Sequence, residues 1–225
     1  MRVLVVAAHP DDEVLGCGGA IAHYSQQGQT VGVVICCRRR IGLDLVDDAT
    51  NRLYEQAARR AAEILGYGRL WFFGFPDERL PQYAWELLKQ IERIAGEFFP
   101  DLVLAHAASD YNQDHRAVSE ACRIAFRPWN DTQQPWRGSR SGLLSFFVPS
   151  GSSPSFSPNY YLELNRREAQ AKLDAWEKAY AMEHRDPPHP RSDTNLRLLL
   201  KSTGEMVGLD YAEAFHVEYL KEKRL

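Results

Sequence analysis

A rhythm constrains this chain more than any single residue does. Four apolar runs, RVLVVAA (2–8), TVGVVICC (30–37), RLWFFGF (69–75) and DLVLAHA (101–107), alternate with longer stretches of helical spacing. Those stretches are GGAIAHYSQQG (18–28), LVDDATNRLYEQAARRAAEILGYG (45–68), YAWELLKQIERIAGEFFP (83–100) and DHRAVSEACRIAFRP (114–128). Runs rich in β-branched residues without polar alternation suit strands buried on both faces of a sheet. Strand and helix in strict alternation imply right-handed crossovers, so the expected class is α/β with a mostly parallel sheet and helices on both faces.

Beyond Pro128 the rhythm breaks. WNDTQQPWRGSRSG (129–142) is polar and turn-rich, LLSFFVPS (143–150) and YYLEL (160–164) read as strands, and RREAQAKLDAWEKAYAMEH (166–184) reads as a helix before a tail ending DYAEAFHVEYL. One domain over 1–225 is expected, with 129–225 a more irregular C-terminal part covering the active-site edge. A formal charge of −3 gives no global attraction to nucleic acid or anionic membrane. The four cysteines, Cys17, Cys36, Cys37 and Cys122, make no CxxC pair, which fits reduced thiols and a cytoplasmic setting. No stretch reaches membrane-spanning length, and acids interrupt the N-terminal apolar run too early for a signal peptide. Association into a homo-oligomer stays open.

Ligands of a parallel sheet bind at the carboxyl ends of its strands. Three polar clusters fall there: HPDDE (9–13), CRRRIG (37–42) and SDYNQDH (109–115). His9 and Asp12, three apart in a turn fixed by Pro10, can point at one centre, and His115 can join them from the start of the following helix. Two imidazoles and a carboxylate with open positions suit a catalytic Zn²⁺. Asp11 is then placed as general base, and Asp114 to orient a neighbouring ligand or donor. Residue by residue a second reading stays open, because acids also cap helix N-termini and DHRAV can be capping plus surface charge.

GCGG (16–19) is not a dinucleotide fingerprint. Counted from Gly16, the position needing a small residue is Ile21, and the acids would repel a pyrophosphate. Gly18 and Gly19 are expected to let a helix start pack close to the metal loop. In CRRRIG, Arg38, Arg39 and Arg40 either face solvent or reach a phosphate or carboxylate. Tyr111, Trp129 and Trp136 are candidate stacking surfaces or packing caps. His23, His106 and His216 are expected to be structural.

AHPDDEVLGCGG (8–19) with DYNQDHRAV (110–118) resembles the LmbE-like or PIG-L family of zinc-dependent N-deacetylases. RLYEQAARRAAEILG (52–66), GFPDERL (74–80), SPNYYLEL (157–164), PPHPRS (187–192) and YAEAF (211–215) extend the likeness over most of the chain. The resemblance implies a Rossmann-like fold that removes acetyl from an N-acetylated amino sugar or similar amide. By position it implies metal ligands His9, Asp12 and His115, the base Asp11, and Arg52 as a substrate-binding residue. One position departs: where several members carry a histidine three residues before the last ligand, this chain has Asn112. An amide can donate to an oxyanion but delivers no proton at neutral pH, so the acid is expected to be His189 or Asp11 itself. The expected substrate is a small amino sugar; Arg38 and Arg40, if they face it, extend the class to a phosphorylated or nucleotide-linked one. Two alternatives share the constellation: a non-haem Fe(II) enzyme on the same two histidines and aspartate, and a non-catalytic sugar-binding protein on a degenerate hydrolase fold.

Overall fold

The computed structural model describes residues 1–39, 48–128, 142–149 and 155–221. Its chain order is β1 (Arg2–Ala7), α1 (Asp12–Gln26), β2 (Thr30–Arg38), α2 (Asp48–Leu65), β3 (Arg69–Pro76), α3 (Ala84–Phe98), β4 (Leu102–His106), α4 (Gln113–Ala125), β5 (Gly142–Phe146), β6 (Tyr160–Glu163), α5 (Arg166–Ala179), α6 (Asp193–Glu205) and β7 (Ala212–Leu220). Seven strands lie in the order β3-β2-β1-β4-β5-β7-β6. Pairing is parallel from β3 through β5, while β7 runs antiparallel to both β5 and β6.

The central strand shows why the apolar runs are unbroken. Val3 and Val5 of β1 face a core built with α1, α2, α5 and α6, whereas Leu4 and Val6 face a second core built with α3 and α4. A strand covered on both sides has no polar face to display. The α3 helix meets the second core through Leu87, Ile91, Ile94 and Phe98, one stripe at helical spacing. The class expected from the alternation is therefore the one observed, with α6 and the paired tail strand β7 as additions the reading did not contain.

The glycine segment behaves differently from expectation. Helix α1 begins at Asp12, not Gly18, so the HPDDE turn runs directly into it and the glycines lie inside the helix. The helix breaks at Cys17, whose φ of −146° is non-helical. Two buried side chains repair the interrupted ladder: Lys172 Nζ donates to the Leu15 carbonyl at 2.8 Å, and Glu213 accepts from the Gly19 and Ala20 amides at 2.9 and 2.7 Å. A Cβ on Gly16 would overlap the Phe146 ring, and one on Gly19 would overlap Leu164 and the Glu213 carboxylate. The glycines thus admit β5, β6 and β7 side chains against α1. Among the described residues no helix is long and apolar enough to cross a membrane.

Candidate metal centre

Three strand ends and one helix start converge at the carboxyl edge of the sheet. The turn after β1 is closed by Asp12, whose Oδ2 accepts the His9 amide at 2.8 Å. The loop after β4 enters α4 through Asn112, whose Oδ1 accepts the amides of Asp114 and His115 at 2.8 and 3.3 Å. That cap fixes His115 in the first helical turn. His106, the last residue of β4, accepts the Ala8 amide on Nε2 at 2.9 Å and stacks on the His115 ring with centroids 4.0 Å apart.

His9 Nδ1 lies 3.1 Å from Asp12 Oδ2 and 3.3 Å from His115 Nε2, and the latter is 3.2 Å from Asp12 Oδ2. Ligand atoms about 2.0–2.1 Å from one ion would stand roughly 2.8–3.4 Å apart at octahedral to tetrahedral angles. The triad matches that spacing, all three residues are buried, and two imidazole nitrogens turned toward one carboxylate oxygen are a donor set for a divalent ion. Behind it, Asp110 Oδ2 meets His115 Nδ1 at 2.9 Å, the outer carboxylate that ligating histidines commonly use to fix their orientation. Burial opposes charge on His115, but Asp12 and Asp110 outweigh it and lift the imidazole to about 9. Burial likewise opposes charge on His9, which Asp114, Asp12 and Asp77 hold well above the ordinary range. Asp12, whose burial favours the neutral acid, is pulled well below the usual range chiefly by His115.

Asp11 occupies the position before α1 with φ 113°, a left-handed conformation that costs a non-glycine residue about 1–3 kcal/mol. Glu13 Oε2 accepts its amide at 3.1 Å, and its carbonyl accepts from Val14 and Leu15 at 3.1 and 2.9 Å. The strained turn divides the Asp11 carboxylate into two unlike oxygens. Oδ2 accepts from Arg39 at 3.3 Å and Arg191 at 3.0 Å, whereas Oδ1 is buried with no hydrogen-bond partner among the described residues. Burial raises Asp11 to about 6, against the pull of the two guanidinium groups. Glu183 completes the cluster by accepting from Arg39 at 2.9 Å and from the Tyr54 hydroxyl, with Arg191 at 3.5 Å.

These distances separate the expected site residues into groups. His9, Asp12 and His115 come together, with Asp11 next to Asp12 in sequence and paired to Arg39 and Arg191; Asp114 lies behind His9, 3.1 Å from Nε2, and also accepts the Glu78 and Leu80 amides. Asn112 is the α4 cap. Tyr111 is 66% exposed in the loop between β4 and α4. Of the arginine run, Arg39 reaches the site; Arg38 turns away to pair with Asp48, because successive residues of a strand point to opposite sides, and Arg40 lies outside the described residues. Trp129 and Trp136 also lie outside them. Arg52 is exposed on α2, off the inward stripe of Asn51, Tyr54 and Ala58, so Tyr54 is the α2 side chain that reaches the site. His189 serves its own loop, accepting the Arg191 amide on Nδ1 at 3.1 Å. The sequence reading missed Asp77, Glu183 and Arg191 and set His106 aside. Asp77 and His106 carried a signal, since each stands at the carboxyl end of a parallel strand.

A family model described as PIG-L: GlcNAc-PI de-N-acetylase matches residues 4–126, more than half of the chain and all of the metal-centre residues up to α4. The chain belongs to the PIG-L family. Among its relatives, Uncharacterized deacetylase YaiS of Escherichia coli strain K12 is 29% identical over 181 residues, covering 78% of this chain and 89% of that protein. Diacetylchitobiose deacetylase of Thermococcus kodakarensis is 26% identical over 204 residues, covering 78% of this chain and 72% of the other. A shorter match, 44% identical over 66 residues, joins it to 21% of the 1D-myo-inositol 2-acetamido-2-deoxy-alpha-D-glucopyranoside deacetylase of Mycobacterium avium. In fold, the conserved protein TT1542 of Thermus thermophilus superposes with a TM-score of 0.73 at 24% identity, covering 99% of this chain and 96% of that one. Membership in PIG-L and this deacetylase kinship place the chain among the hydrolytic N-deacetylases.

Proposed function

We propose that the protein is a zinc-dependent N-deacetylase acting on the acetamide of an N-acetylated amino sugar or sugar conjugate. The observation that carries the reading is the convergence of His9 Nδ1, His115 Nε2 and Asp12 Oδ2, next in sequence to Asp11, whose buried Oδ1 has no hydrogen-bond partner among the described residues. A divalent ion held by that triad would polarise the amide carbonyl and lower the pKa of a water, so that a base can deprotonate it for attack.

The chain's own groups then divide the work. Asp11 Oδ1 takes the proton of the attacking water as the C–O bond forms. Arg39 and Arg191 hold Oδ2, so the carboxylate cannot rotate its basic oxygen away. Asn112 spends its Oδ1 on the α4 amides, which leaves the NH₂ end of that amide to donate to the developing oxyanion. Asp11 returns the proton to the amine nitrogen as the C–N bond breaks, yielding acetate and the free amino sugar. His189 is assigned to the loop that carries Arg191. Arg39, Arg185 and Arg191 face Asp11, Asp77 and Glu183, three cations against three anions; this balance supports a sugar that brings no charge to that wall over a phosphorylated or nucleotide-linked one. Tyr111, exposed in the loop between β4 and α4, is the surface assigned to stack on the sugar face.

Metal analysis of the untagged protein and of His115→Ala, with acetate release measured on N-acetylglucosamine conjugates, tests the proposal. About one zinc per chain, lost in the variant together with acetate release, is the expected result. Iron in its place would favour the oxygenase chemistry, and sugar binding without metal or turnover would leave a binding protein.

A further inference from the structure

The His9 imidazole has two faces. Its Nδ1 is turned to the triad, and its Nε2 points the opposite way, toward residues from β2, from the turn after β3 and from α4. Asp77 Oδ1 lies 3.0 Å and Asp114 Oδ2 3.1 Å from Nε2. The Cys37 thiol donates to the same Asp114 oxygen at 3.7 Å and lies within 4.8 Å of His9. His9, Cys37 and Asp114 are all buried, and a ligand atom from each lies within 4.8 Å of the others.

One outer carboxylate is the ordinary companion of a ligating histidine, because a single N–H needs a single acceptor. Asp114 fills that role. A second carboxylate oxygen, Asp77 Oδ1, stands at the same nitrogen, and the Cys37 thiol donates to Asp114 Oδ2 beside it, so two carboxylates and a thiol gather around one imidazole N–H. Buried carboxylates of this kind are stabilised by a cation. The spacing also suits one. A sulfur about 2.3 Å and an oxygen about 2.0 Å from a tetrahedral ion would stand roughly 3.5 Å apart, close to the 3.7 Å between Cys37 Sγ and Asp114 Oδ2.

We propose that His9 Nε2, Cys37 Sγ, Asp114 Oδ2 and Asp77 Oδ1 form a second cation site, selective for thiophilic divalent ions and sharing the His9 imidazole with the first. A thiolate, an imidazole and carboxylates together favour ions such as Zn²⁺ or Cd²⁺ over Mg²⁺. Filling the site releases two protons to solvent, one from the Cys37 thiol and one from His9 Nε2, and leaves His9 as an imidazolate bridging two ions. The second ion is thereby coupled to the first through one ring, a route by which excess metal alters the catalytic centre. This inference rests on the reading of His9 as a ligand of the first metal through Nδ1.

Cadmium titration of the metal-stripped full-length chain tests it, read by bound metal per chain and by the ultraviolet thiolate-to-cadmium charge-transfer band. The wild type is expected to bind about two ions and to develop the band, and Cys37→Ser to bind about one and show no band. Cys37→Ala repeats the measurement without an oxygen that could ligate. One ion and no band in the wild type, with acetate release intact on zinc loading, would overturn this proposal alone. A band surviving in both Cys37 variants would also overturn it, by assigning the thiolate elsewhere. No bound ion at all would remove the first site as well.

Discussion

Asp11 and Arg191, 180 residues apart, meet at 3.0 Å through Oδ2 and Nη1, while the other Asp11 oxygen has no partner among the described residues. Under the proposed mechanism, this contact from the C-terminal part holds Oδ2 and leaves Oδ1 as the acting oxygen. Arg191→Gln should therefore lower kcat about 10- to 100-fold, the usual cost of losing a group that orients a metal-site residue, with KM and bound metal little changed. Arg191→Lys should recover part of the loss. Kinetics on N-acetylglucosamine conjugates beside metal analysis checks this; a rise in KM at constant kcat would make Arg191 a substrate contact.

On the proposed role of Asp11 as general base, Asp11→Asn keeps the shape and removes the base. Turnover should fall about 10²- to 10⁴-fold, the range general acid–base groups contribute, while bound metal stays near the wild-type amount. His189→Ala should cost less than about tenfold, since its hydrogen bond goes to the Arg191 backbone. If His189→Ala matched Asp11→Asn in turnover, the acid would be His189, and the single-carboxylate proton route would be wrong.

How much of this was legible beforehand depends on locality. The parallel core followed from unbroken apolar runs, and the triad followed from placing HPDDE and QDH at strand ends, because both signals are written in contiguous residues. The arginine run shows a limit. A register irregularity lies between Ile35 and Cys37 where β2 pairs with β3, and a one-residue slip exchanges the faces of a strand, so the sequence could not say which of Arg38, Arg39 and Arg40 turns inward. Arg52 was nearer to hand: Asn51, Tyr54, Ala58, Ala61 and Leu65 trace the inward stripe of α2, and Arg52 is off it. Glu183 and Arg191 had no local signal, since they sit in short turns and reach the site only through tertiary packing. Helix α6 did have one, Ser192 as an N-cap ahead of Leu196 and Leu200.

Glu183 should leave a mark on stability against pH. Burial favours its neutral form, but Arg39, Tyr54 and Arg191 outweigh that and hold the carboxyl below its ordinary value of 4.5. Between the folded and unfolded values the unfolded chain binds more protons, so stability rises with pH there. The contribution is present above 4.5 and is lost as pH falls through the folded value. Denaturant midpoints from pH 6 down to pH 3, taken as roughly bracketing that window, should fall less steeply in Glu183→Gln than in the wild type. Parallel curves would mean that the two arginines gain nothing from this carboxylate.

The repair of the α1 break makes the sharpest stability claim. Lys172 and Glu213 are 3% and 4% exposed and 2.6 Å apart, and between them they satisfy the Leu15 carbonyl and the Gly19 and Ala20 amides. Glu213→Ala strands a buried ammonium and two buried amides at once. Removing one partner of a buried pair costs about 3–5 kcal/mol, so urea unfolding should show a loss of that size. The first turn of α1 carries Asp12, and the break at Cys17 lies just beyond it. The variant should therefore also bind the first metal more weakly at temperatures where it is still folded. A loss below about 1 kcal/mol, within the ordinary range for exposed pairs, would mean that solvent replaces Glu213 at the break. The glycines of α1 would then be serving the packing of Phe146 and Leu164 alone.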